Sequence, residues 1–243
     1  MPGIRIAMWS GPRTISTAMM RAWENRKDCE VWDEPLYPWW LAATGTEHPG
    51  RGHVLAAHDC DLDPASLASR LASADGDLMS YQKHMTHHLL PEFPREWMEG
   101  ARHAFLIRRP DRVLASLAKR LPSATTQDTG LPQQVELLHW LDAHGHAPPP
   151  VIDSDDVLGA PSPMLESLCQ SLGVPFDPAM LEWPAGGRDS DGAWADWWYD
   201  SVRASTGFGP PREEMVDVPP AQRDSLAECQ QLYDLLAEDR IRV

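Results

Sequence analysis

Residues suited to holding an anion follow a short apolar segment near the start of the chain. The segment covers residues 4–9, and the next eight residues are Ser10, Gly11, Pro12, Arg13, Thr14, Ile15, Ser16 and Thr17. Arg13 would supply a fixed positive charge with a planar set of donors, and backbone N–H groups at the start of a following helix favour a bound anion. Because the pattern GxxxxGK[ST] is absent, the loop differs from that of nucleotide triphosphatases. These residues predict an anion-binding loop without a magnesium-binding hydroxyl.

A second candidate anion site follows the apolar segment 103–107. Arg108 comes directly after this segment, and Ser116 falls within the helix predicted to follow it. Ligands of parallel sheets bind at the carboxyl ends of the strands, so an arginine and a serine placed there could hold a second phosphate. Taken separately, Arg108 is equally consistent with a surface salt bridge, and Ser116 with a small helix residue.

One candidate general base follows the second predicted strand. Glu34 lies within the sequence Asp33-Glu34-Pro35 and should reach the same sheet edge as Arg13, where it could accept a proton. A helix-capping or loop-organising role is an equal alternative for this carboxylate. Asp33 is a candidate for orienting Arg13 or an acceptor amine.

The other candidates for proton transfer are histidines. His84, His87 and His88 are spaced at i, i+3 and i+4, which would place them on one face of a helix. We favour His84 or His88 as a proton carrier or acceptor ligand, with a structural histidine as the equal alternative. The spacing would suit a metal ion, but no carboxylate or thiolate partner is apparent, so we predict no metal site.

Aromatic side chains are candidates for the walls of a ligand pocket. The chain has 11 tryptophans, and most of them are expected to pack in the core. Trp39, Trp40 and Trp197 are candidates for a wall that contacts an apolar or aromatic acceptor, because an indole face stacks on flat rings. Residues 128–130 with Gln133 are candidates for lining the same pocket.

The elements that position these residues alternate along the chain. Apolar patterning predicts strands at residues 4–9, 30–32, 77–81, 103–107 and 150–152, and helices at residues 14–26, 65–74, 111–120, 133–144, 163–172 and 220–239. Residues 33–64 are predicted to be irregular, with short helical pieces. Alternating strands and helices predict a three-layer α/β fold with a mainly parallel central sheet. We expect one domain over residues 1–243, of which about 209–243 form a C-terminal helical extension.

Composition excludes several classes of protein. The net charge is −15, whereas nucleic acid binding by bulk electrostatics needs a surplus of lysine and arginine. No apolar run approaches the ~20 residues that span a bilayer, and the short apolar start followed by Arg13 is not typical of a secretory signal. Four cysteines far apart in the sequence favour free thiols. We expect a cytoplasmic protein that binds neither nucleic acid nor membranes.

The two candidate anion sites together match a known family. The loop at residues 10–17 and the pattern R-x-P-x-x-V-x-x-S at residues 108–116 resemble the two nucleotide-binding elements of sulfotransferases that use 3′-phosphoadenosine 5′-phosphosulfate (PAPS). The resemblance implies a P-loop, sulfotransferase-like fold. It also implies that the loop, with Arg13, cradles the 5′-phosphosulfate, and that Arg108 and Ser116 hold the 3′-phosphate.

The chain resembles more closely a bacterial branch of sulfotransferase-like proteins, related to domains named together with branched-chain aminotransferases. The similarity covers roughly residues 4–208 and includes the segments 31–37, 83–88 and 191–195. Some bacterial sulfotransferases have a glutamate after the second strand that acts as the base, which resembles the arrangement of Glu34. The glycine-rich stretch 185–188 resembles a late loop that closes over the nucleotide, which makes Arg188 a candidate ligand of the 3′-phosphate and Trp194 a candidate lid.

One element departs from the family pattern. The segment Lys83-His84-Met85 only partly resembles the Lys-Thr-His element of cytosolic sulfotransferases, and Met85 stands where that family has its catalytic histidine. The candidates for catalysis are therefore Arg13, Glu34 and His84. The candidates for binding the acceptor are Asp33, Lys83, His88 and Trp39.

These observations predict transfer of a sulfuryl group from PAPS to a hydroxyl or amine of a small acceptor, without a metal. One alternative is an inactive nucleotide- or anion-binding module that keeps the fold. A kinase-like phosphotransferase is disfavoured by the missing lysine of the GxxxxGK[ST] pattern. The amphipathic C-terminal helix is a candidate contact of a homodimer.

Overall fold

A five-stranded parallel sheet forms the centre of the computed structural model, which describes residues 3–57, 60–73, 78–119, 121–211 and 218–243. The strands are β1 (Arg5–Ser10), β2 (Cys29–Asp33), β3 (Met79–Met85), β4 (Arg102–Ile107) and β5 (Val151–Asp153). Their order in the sheet is β2-β3-β1-β4-β5, and every neighbouring pair is parallel. The prediction of a mainly parallel α/β sheet is confirmed.

Helices cover both faces of this sheet. Alternate residues of β1 enter different cores: Ala7 and Trp9 belong to one apolar cluster, and Ile6 and Met8 to another. A strand that is buried on both faces has this pattern, and the result is the predicted three-layer arrangement. The helices are α1 (Ser16–Glu24), α2 (Tyr37–Thr44), α3 (Arg51–Leu55), α4 (Pro64–Ala72), α5 (Pro110–Leu117), α6 (Leu131–Ala143), α7 (Ser154–Gly159), α8 (Pro161–Ser171), α9 (Ala195–Trp198), α10 (Asp200–Arg203) and α11 (Arg223–Ala237).

The predicted elements are present, with shifted ends. Helix α1 begins at Ser16, two residues later than expected, because Ile15 has a φ of 56° and so cannot continue a right-handed helix. The segment 33–64, expected to be irregular with short helical pieces, contains α2 and α3. Three predicted ends, at Ala74, Asp77 and Arg120, lie outside the described residues.

The C-terminal helix packs into the core. Tyr233 of α11 donates a hydrogen bond of 2.8 Å from its hydroxyl to Asp153 Oδ2 at the end of β5. Beyond the helix, the Ile241 N–H donates to the Val151 carbonyl at 2.8 Å. The segment predicted as an extension therefore covers one end of the sheet. Within the described part of the chain, no helix is both long enough and apolar enough to cross a membrane.

Candidate functional site

The loop between β1 and α1 is shaped to expose backbone N–H groups. Arg13 has a φ of 65° and Ile15 a φ of 56°, and such left-handed residues alternating with others turn successive N–H groups toward one concave side. The first-turn N–H groups of a helix have no intrahelical partners. No described side chain caps the N-terminus of α1, so these groups of α1 are not covered by a side-chain cap. Ser16 and Thr17 lie in this first turn. The loop and the helix together form an anion-binding geometry.

Two of the predicted hydroxyl donors of the loop instead hold its shape. Ser10 Oγ donates to the His84 carbonyl at 3.1 Å, and Thr14 Oγ1 donates to the Gly11 carbonyl at 2.7 Å. Gly11 is a glycine because of close approach: a Cβ added there would overlap the Thr129 carbonyl oxygen. The donors that this loop presents to an anion are therefore mainly its backbone N–H groups, with the exposed Arg13 beside them.

The structure brings together the two motifs that the sequence places far apart. Arg13 Nε donates to Ser116 Oγ at 2.8 Å, across 103 residues of sequence. Arg108 Nη1 donates to the Arg13 carbonyl at 2.7 Å, across 95 residues. This contact arises because β1 and β4 are neighbours in the sheet, so the loops after them share one edge.

Two further charged residues complete this end of the sheet, and the sequence analysis did not identify them. Arg112 Nε lies 2.9 Å from Asp155 Oδ2, and Arg108 Nε lies 3.8 Å from Asp155 Oδ1. Burial lowers the pKa of Arg108. Arg112 lies in the first turn of α5, four residues after Arg108, and a second arginine so close to the candidate anion site is the signal that could have revealed it. Three arginines thus meet here beside one carboxylate.

A buried charge network lies at the carboxyl ends of β2 and β3. Lys83 Nζ donates to Asp33 Oδ1 at 2.8 Å, Glu34 Oε1 at 2.6 Å and Tyr199 Oη at 2.6 Å. Tyr199 in turn donates to Asp33 at 2.8 Å. An ammonium has three donors, so all those of Lys83 are used. We call these four residues the Lys83 network.

Burial and the neighbouring charges shift the pKa values of Glu34 and Lys83 in the Lys83 network. Burial is the main cause that raises the pKa of Glu34 above its ordinary value of 4.5; the Asp33 carboxylate adds to this, and Lys83 opposes it. Burial alone would lower the pKa of Lys83, but the carboxylates of Asp33 and Glu34 raise it well above 10.5. Glu34 Oε2, the oxygen not held by Lys83, lies 3.9 Å from His88 Nδ1. Both oxygens of Asp33 accept hydrogen bonds, whereas Lys83 holds only Oε1 of Glu34.

His84 lies elsewhere. Its ring is buried and stacks on Trp9 with ring centroids 4.5 Å apart, and its Nε2 lies 3.3 Å from Gln82 Oε1. Burial lowers its pKa to about 3. Because side chains alternate along β3, His84 points to the face opposite Lys83. The structure does not bring this candidate base to the Lys83 network.

The expectation that three histidines share a helical face is wrong. His84 belongs to strand β3, and only His87 and His88 lie in the 3₁₀ turn that follows it. The strand continues to Met85 because its residues pair with β1 as far as Ser10. Among the described residues, no three or more histidine, cysteine, aspartate or glutamate side chains are grouped to hold a metal ion.

Arg188 lies away from the loop between β1 and α1, residues 11–15, which we call the phosphate loop. Its Nε is 3.6 Å from Glu24 Oε2, and its Nη2 donates to the Pro184 carbonyl at 2.8 Å. Glu24 is the last residue of α1, which begins at Ser16, so ~12 Å of helix separates it from the loop. The structure therefore does not bring Arg188 to the arginines at the other end of α1.

The aromatic candidates are mostly buried. Trp194 is buried and donates from Nε1 to Tyr199 Oη at 3.1 Å. It therefore packs against the Lys83 network and is not an exposed lid. Trp39 packs edge-on against Phe93 with ring centroids 4.8 Å apart. Trp40 packs against His88, with ring centroids 4.7 Å apart. Because His88 lies 3.9 Å from Glu34, Trp40 is close to the Lys83 network.

Comparisons with known proteins identify the family of this chain. A model of the family described as "Sulfotransferase domain" matches residues 4–237. The chain is 36% identical over 231 residues to a protein of Arabidopsis thaliana named "Branched-chain-amino-acid aminotransferase-like protein 2"; the match covers 95% of this chain and 41% of that protein. The chain therefore spans about two fifths of the length of that curated relative.

Solved structures show the same fold. The "Sulfotransferase Domain from the Synechococcus PCC 7002 Olefin Synthase" superposes with a TM-score of 0.59 at 17% identity, over 96% of this chain and 94% of that one. A sulfotransferase from Alicyclobacillus acidocaldarius superposes with a TM-score of 0.56 at 12% identity, over 99% of this chain and 98% of that one. At these identities the likeness concerns the fold.

Proposed function

The chain belongs to the sulfotransferase domain family, and from this premise we propose that it transfers a sulfuryl group from PAPS to a hydroxyl or amine of a small acceptor. The observation that carries the proposal is the contact between the two anion-binding motifs. Arg13 donates to Ser116 at 2.8 Å, and Arg108 donates to the Arg13 carbonyl at 2.7 Å. A ligand with two separate phosphate-type groups suits such a paired site, because each group would meet its own arginine.

The residues of the paired site divide into two roles. The N–H groups of the loop and of the first turn of α1, with Arg13, would hold the 5′-phosphosulfate. Arg108 and Ser116 would hold the 3′-phosphate, and Arg112 adds positive charge beside them. PAPS supplies the sulfuryl group when it is bound. Because Arg13 can donate to a phosphate oxygen, it would stabilise the negative charge that develops there as the sulfur–oxygen bond breaks.

Glu34 is the residue we assign to the acceptor's proton. As the acceptor oxygen or nitrogen bonds to sulfur, its proton would pass to Glu34 Oε2, and the bond from sulfur to the phosphate oxygen breaks. Lys83 fixes the other oxygen, Oε1, at 2.6 Å, which orients the carboxylate. Its raised pKa makes Glu34 a stronger base than an ordinary glutamate. His88, 3.9 Å from Glu34, lies where it can contact the acceptor.

Calorimetry with 3′-phosphoadenosine 5′-phosphate (PAP), the product nucleotide, tests the nucleotide assignment. Arg108→Ala removes a charge-assisted contact worth about 1.5–3 kcal/mol, so we expect the dissociation constant to rise roughly ten- to hundredfold. Arg109→Ala is the matched control, since the side chain of this neighbouring arginine is 54% exposed and pairs with Asp111. The Arg109→Ala protein should bind PAP with the same affinity as the unmodified protein.

Two outcomes would contradict the proposal. An unmodified protein that does not bind PAP has no PAPS site. A protein that binds PAP but forms no labelled product from ³⁵S-labelled PAPS, with a cell extract as the source of acceptors, would be a nucleotide-binding module without turnover. The second outcome would remove the enzyme assignment and leave the nucleotide site in place.

A further inference from the structure

The surroundings of Glu34 Oε2 indicate what kind of acceptor can reach it. This oxygen faces His88 Nδ1 at 3.9 Å. The His88 ring stacks on Tyr37, with centroids 4.8 Å apart, and lies 4.7 Å from the Trp40 ring. An acceptor that gives its proton to Glu34 therefore lies against aromatic side chains, which bind flat or alkyl groups and cations.

Imidazoles without charge complete this side of the site. His48 shares a hydrogen bond of 3.1 Å with Tyr37 Oη, and the His87 ring lies 4.3 Å from that of His88. Burial lowers the pKa of His48, lowers that of His87 to about 4, and lowers that of His88 well below 6.5. Burial therefore favours the neutral form of each imidazole.

Two of these imidazoles have a polar atom without a partner. Nδ1 of His87 and Nδ1 of His88 are buried and make no hydrogen bond with any described residue. The His88 residue is only 2% exposed. Buried polar atoms are nearly always paired, so these two atoms indicate a place where a ligand supplies the missing hydrogen bonds.

The charged groups around this place are mainly acidic. Asp33 and Glu34 share the single ammonium of Lys83. The Asp128 carboxylate, which accepts from Thr125 Oγ1 at 2.8 Å, acts on both His48 and His87. Arg51, whose N–H donates to the His48 carbonyl, directs its guanidinium to the Leu41 carbonyl at 3.4 Å. Three carboxylates thus stand against the Lys83 ammonium and the Arg51 guanidinium, and this excess of one carboxylate disfavours an anionic acceptor.

We propose that the acceptor is a hydroxyl-bearing organic cation with an aromatic body, held beside the aromatic cluster of Tyr37, Trp40 and His88 and by the field of Asp128. The inference rests on the proposed function, because it takes Glu34 as the residue that receives the proton. It assigns His87 and His88 as hydrogen-bonding partners of the acceptor. An acceptor with a carboxylate in place of the ammonium would be rejected.

A pair of phenols that differ in charge tests this proposal. Tyramine carries an ammonium, and 4-hydroxyphenylacetate carries a carboxylate on a side chain of similar size. We expect calorimetry to give a dissociation constant at least about tenfold lower for tyramine, from one charge reversal in this field. Because the nucleotide is itself anionic, the comparison is made with PAP and without it, and the same order is expected in both.

The substitution Asp128→Asn tests the contribution of the Asp128 charge. The amide keeps an oxygen that accepts from Thr125, so the loop is retained while the charge is lost. The ratio of the two dissociation constants should fall roughly fivefold. Asp142→Asn is the matched control: Asp142 is exposed near the far end of α6, ~17 Å along that helix from its start, and its loss should leave the ratio unchanged.

The outcomes separate this inference from the proposed function. Equal or tighter binding of 4-hydroxyphenylacetate, or no binding of either phenol, would overturn the acceptor class, and so would a ratio unaffected by Asp128→Asn. None of these results touches the nucleotide assignment, which depends on PAP binding alone. Failure to bind PAP would remove the proposed function whatever the phenols do.

Discussion

At the residue scale, the backbone conformation of Glu34 and its hydrogen bonds to Lys83 fix the position of its carboxylate. Its φ of 41° is left-handed, a conformation that is costly for a residue with a side chain. The position is held because the Glu34 N–H donates to the Lys83 carbonyl at 2.9 Å while the carboxylate accepts from the Lys83 ammonium. Strained residues that their surroundings fix in this way cluster at functional sites.

The raised pKa of Glu34 predicts the pH dependence of turnover. A base acts only when deprotonated, so the rate should fall as the pH falls through the pKa of Glu34, which lies above 4.5. Glu34→Gln cannot accept the proton, and we expect kcat to fall ~10²–10⁴-fold with PAP affinity retained. Steady-state rates across pH measure both effects.

A glutamate of β2, the strand that ends just before Glu34, provides the control for Glu34. Glu30 belongs to β2 and accepts from Trp32 Nε1 at 3.4 Å. Glu30→Gln should keep both the rate and its acidic limb. A Glu34→Gln protein with unchanged kcat would remove Glu34 from the role of base.

At the scale of elements, the phosphate loop depends on the segment that packs against it. The 3₁₀ turn Gln127–Thr129 and the start of α6 adjoin Gly11, whose missing Cβ leaves room for the Thr129 carbonyl. Gln134 of α6 donates to the carbonyls of Trp9 and Leu106, each at 3.2 Å, and so ties the ends of β1 and β4 together. The segment that carries Asp128, on the proposed acceptor side, therefore also packs against Gly11, on the proposed nucleotide side.

Gly11→Ala should disturb both the fold and the anion site. A methyl group would overlap the backbone at Thr129, which cannot move like the end of a flexible side chain, so we expect a loss of about 1–3 kcal/mol in the free energy of unfolding. PAP affinity should fall at least about tenfold, since ~1.4 kcal/mol of lost positioning is enough. Urea denaturation and calorimetry measure the two effects.

Gly159→Ala is the matched substitution. No heavy atom lies within 4 Å of a Cβ added to Gly159 at the end of α7. Because alanine favours a helix over glycine by about 1 kcal/mol, stability should be unchanged or slightly higher. Normal PAP binding by the Gly11→Ala protein would show that the loop does not need this close approach.

At the scale of the whole molecule, helix α11 connects the C-terminal region to the site. Its Glu228 accepts from Thr126 Oγ1 at 2.6 Å, and Cys229 lies 3.8 Å from Thr129 Oγ1. These contacts hold the segment that supports the phosphate loop. The site is therefore completed by residues about 100 positions later in the chain than the segment they hold.

Two adjacent leucines of α11 test this role. Leu236 is 2% exposed and belongs to the core, whereas Leu235 is 43% exposed. Leu236→Ala should lower the free energy of unfolding by about 2–5 kcal/mol through lost burial and a cavity. Leu235→Ala should change it by no more than ~0.5 kcal/mol. Equal effects in urea denaturation would mean that α11 does not pack as described.

The sequence by itself determined the main elements and the two candidate anion-binding motifs. Apolar periodicity depends on local backbone geometry, so the strands and most helices could be predicted within a few residues. The loop after β1 and the pair Arg108 and Ser116 were recognisable because together they resemble the two nucleotide-binding elements of PAPS-dependent sulfotransferases, and a parallel sheet brings the ends of its strands to one edge. The identity of Glu34 as a candidate base follows from the same argument.

Only the tertiary structure decided which side chains meet. Tyr199 lies 116 residues from Lys83, and no local pattern connects them; packing of α9 and its neighbours against the sheet edge does. The orientation of His84 depended on whether its segment is a strand or a helix, since a period of 2 or of 3.6 sends the same residue to different faces. Arg188 was placed beside Glu24 by the packing of a glycine-rich loop, which has no periodicity that a sequence could reveal.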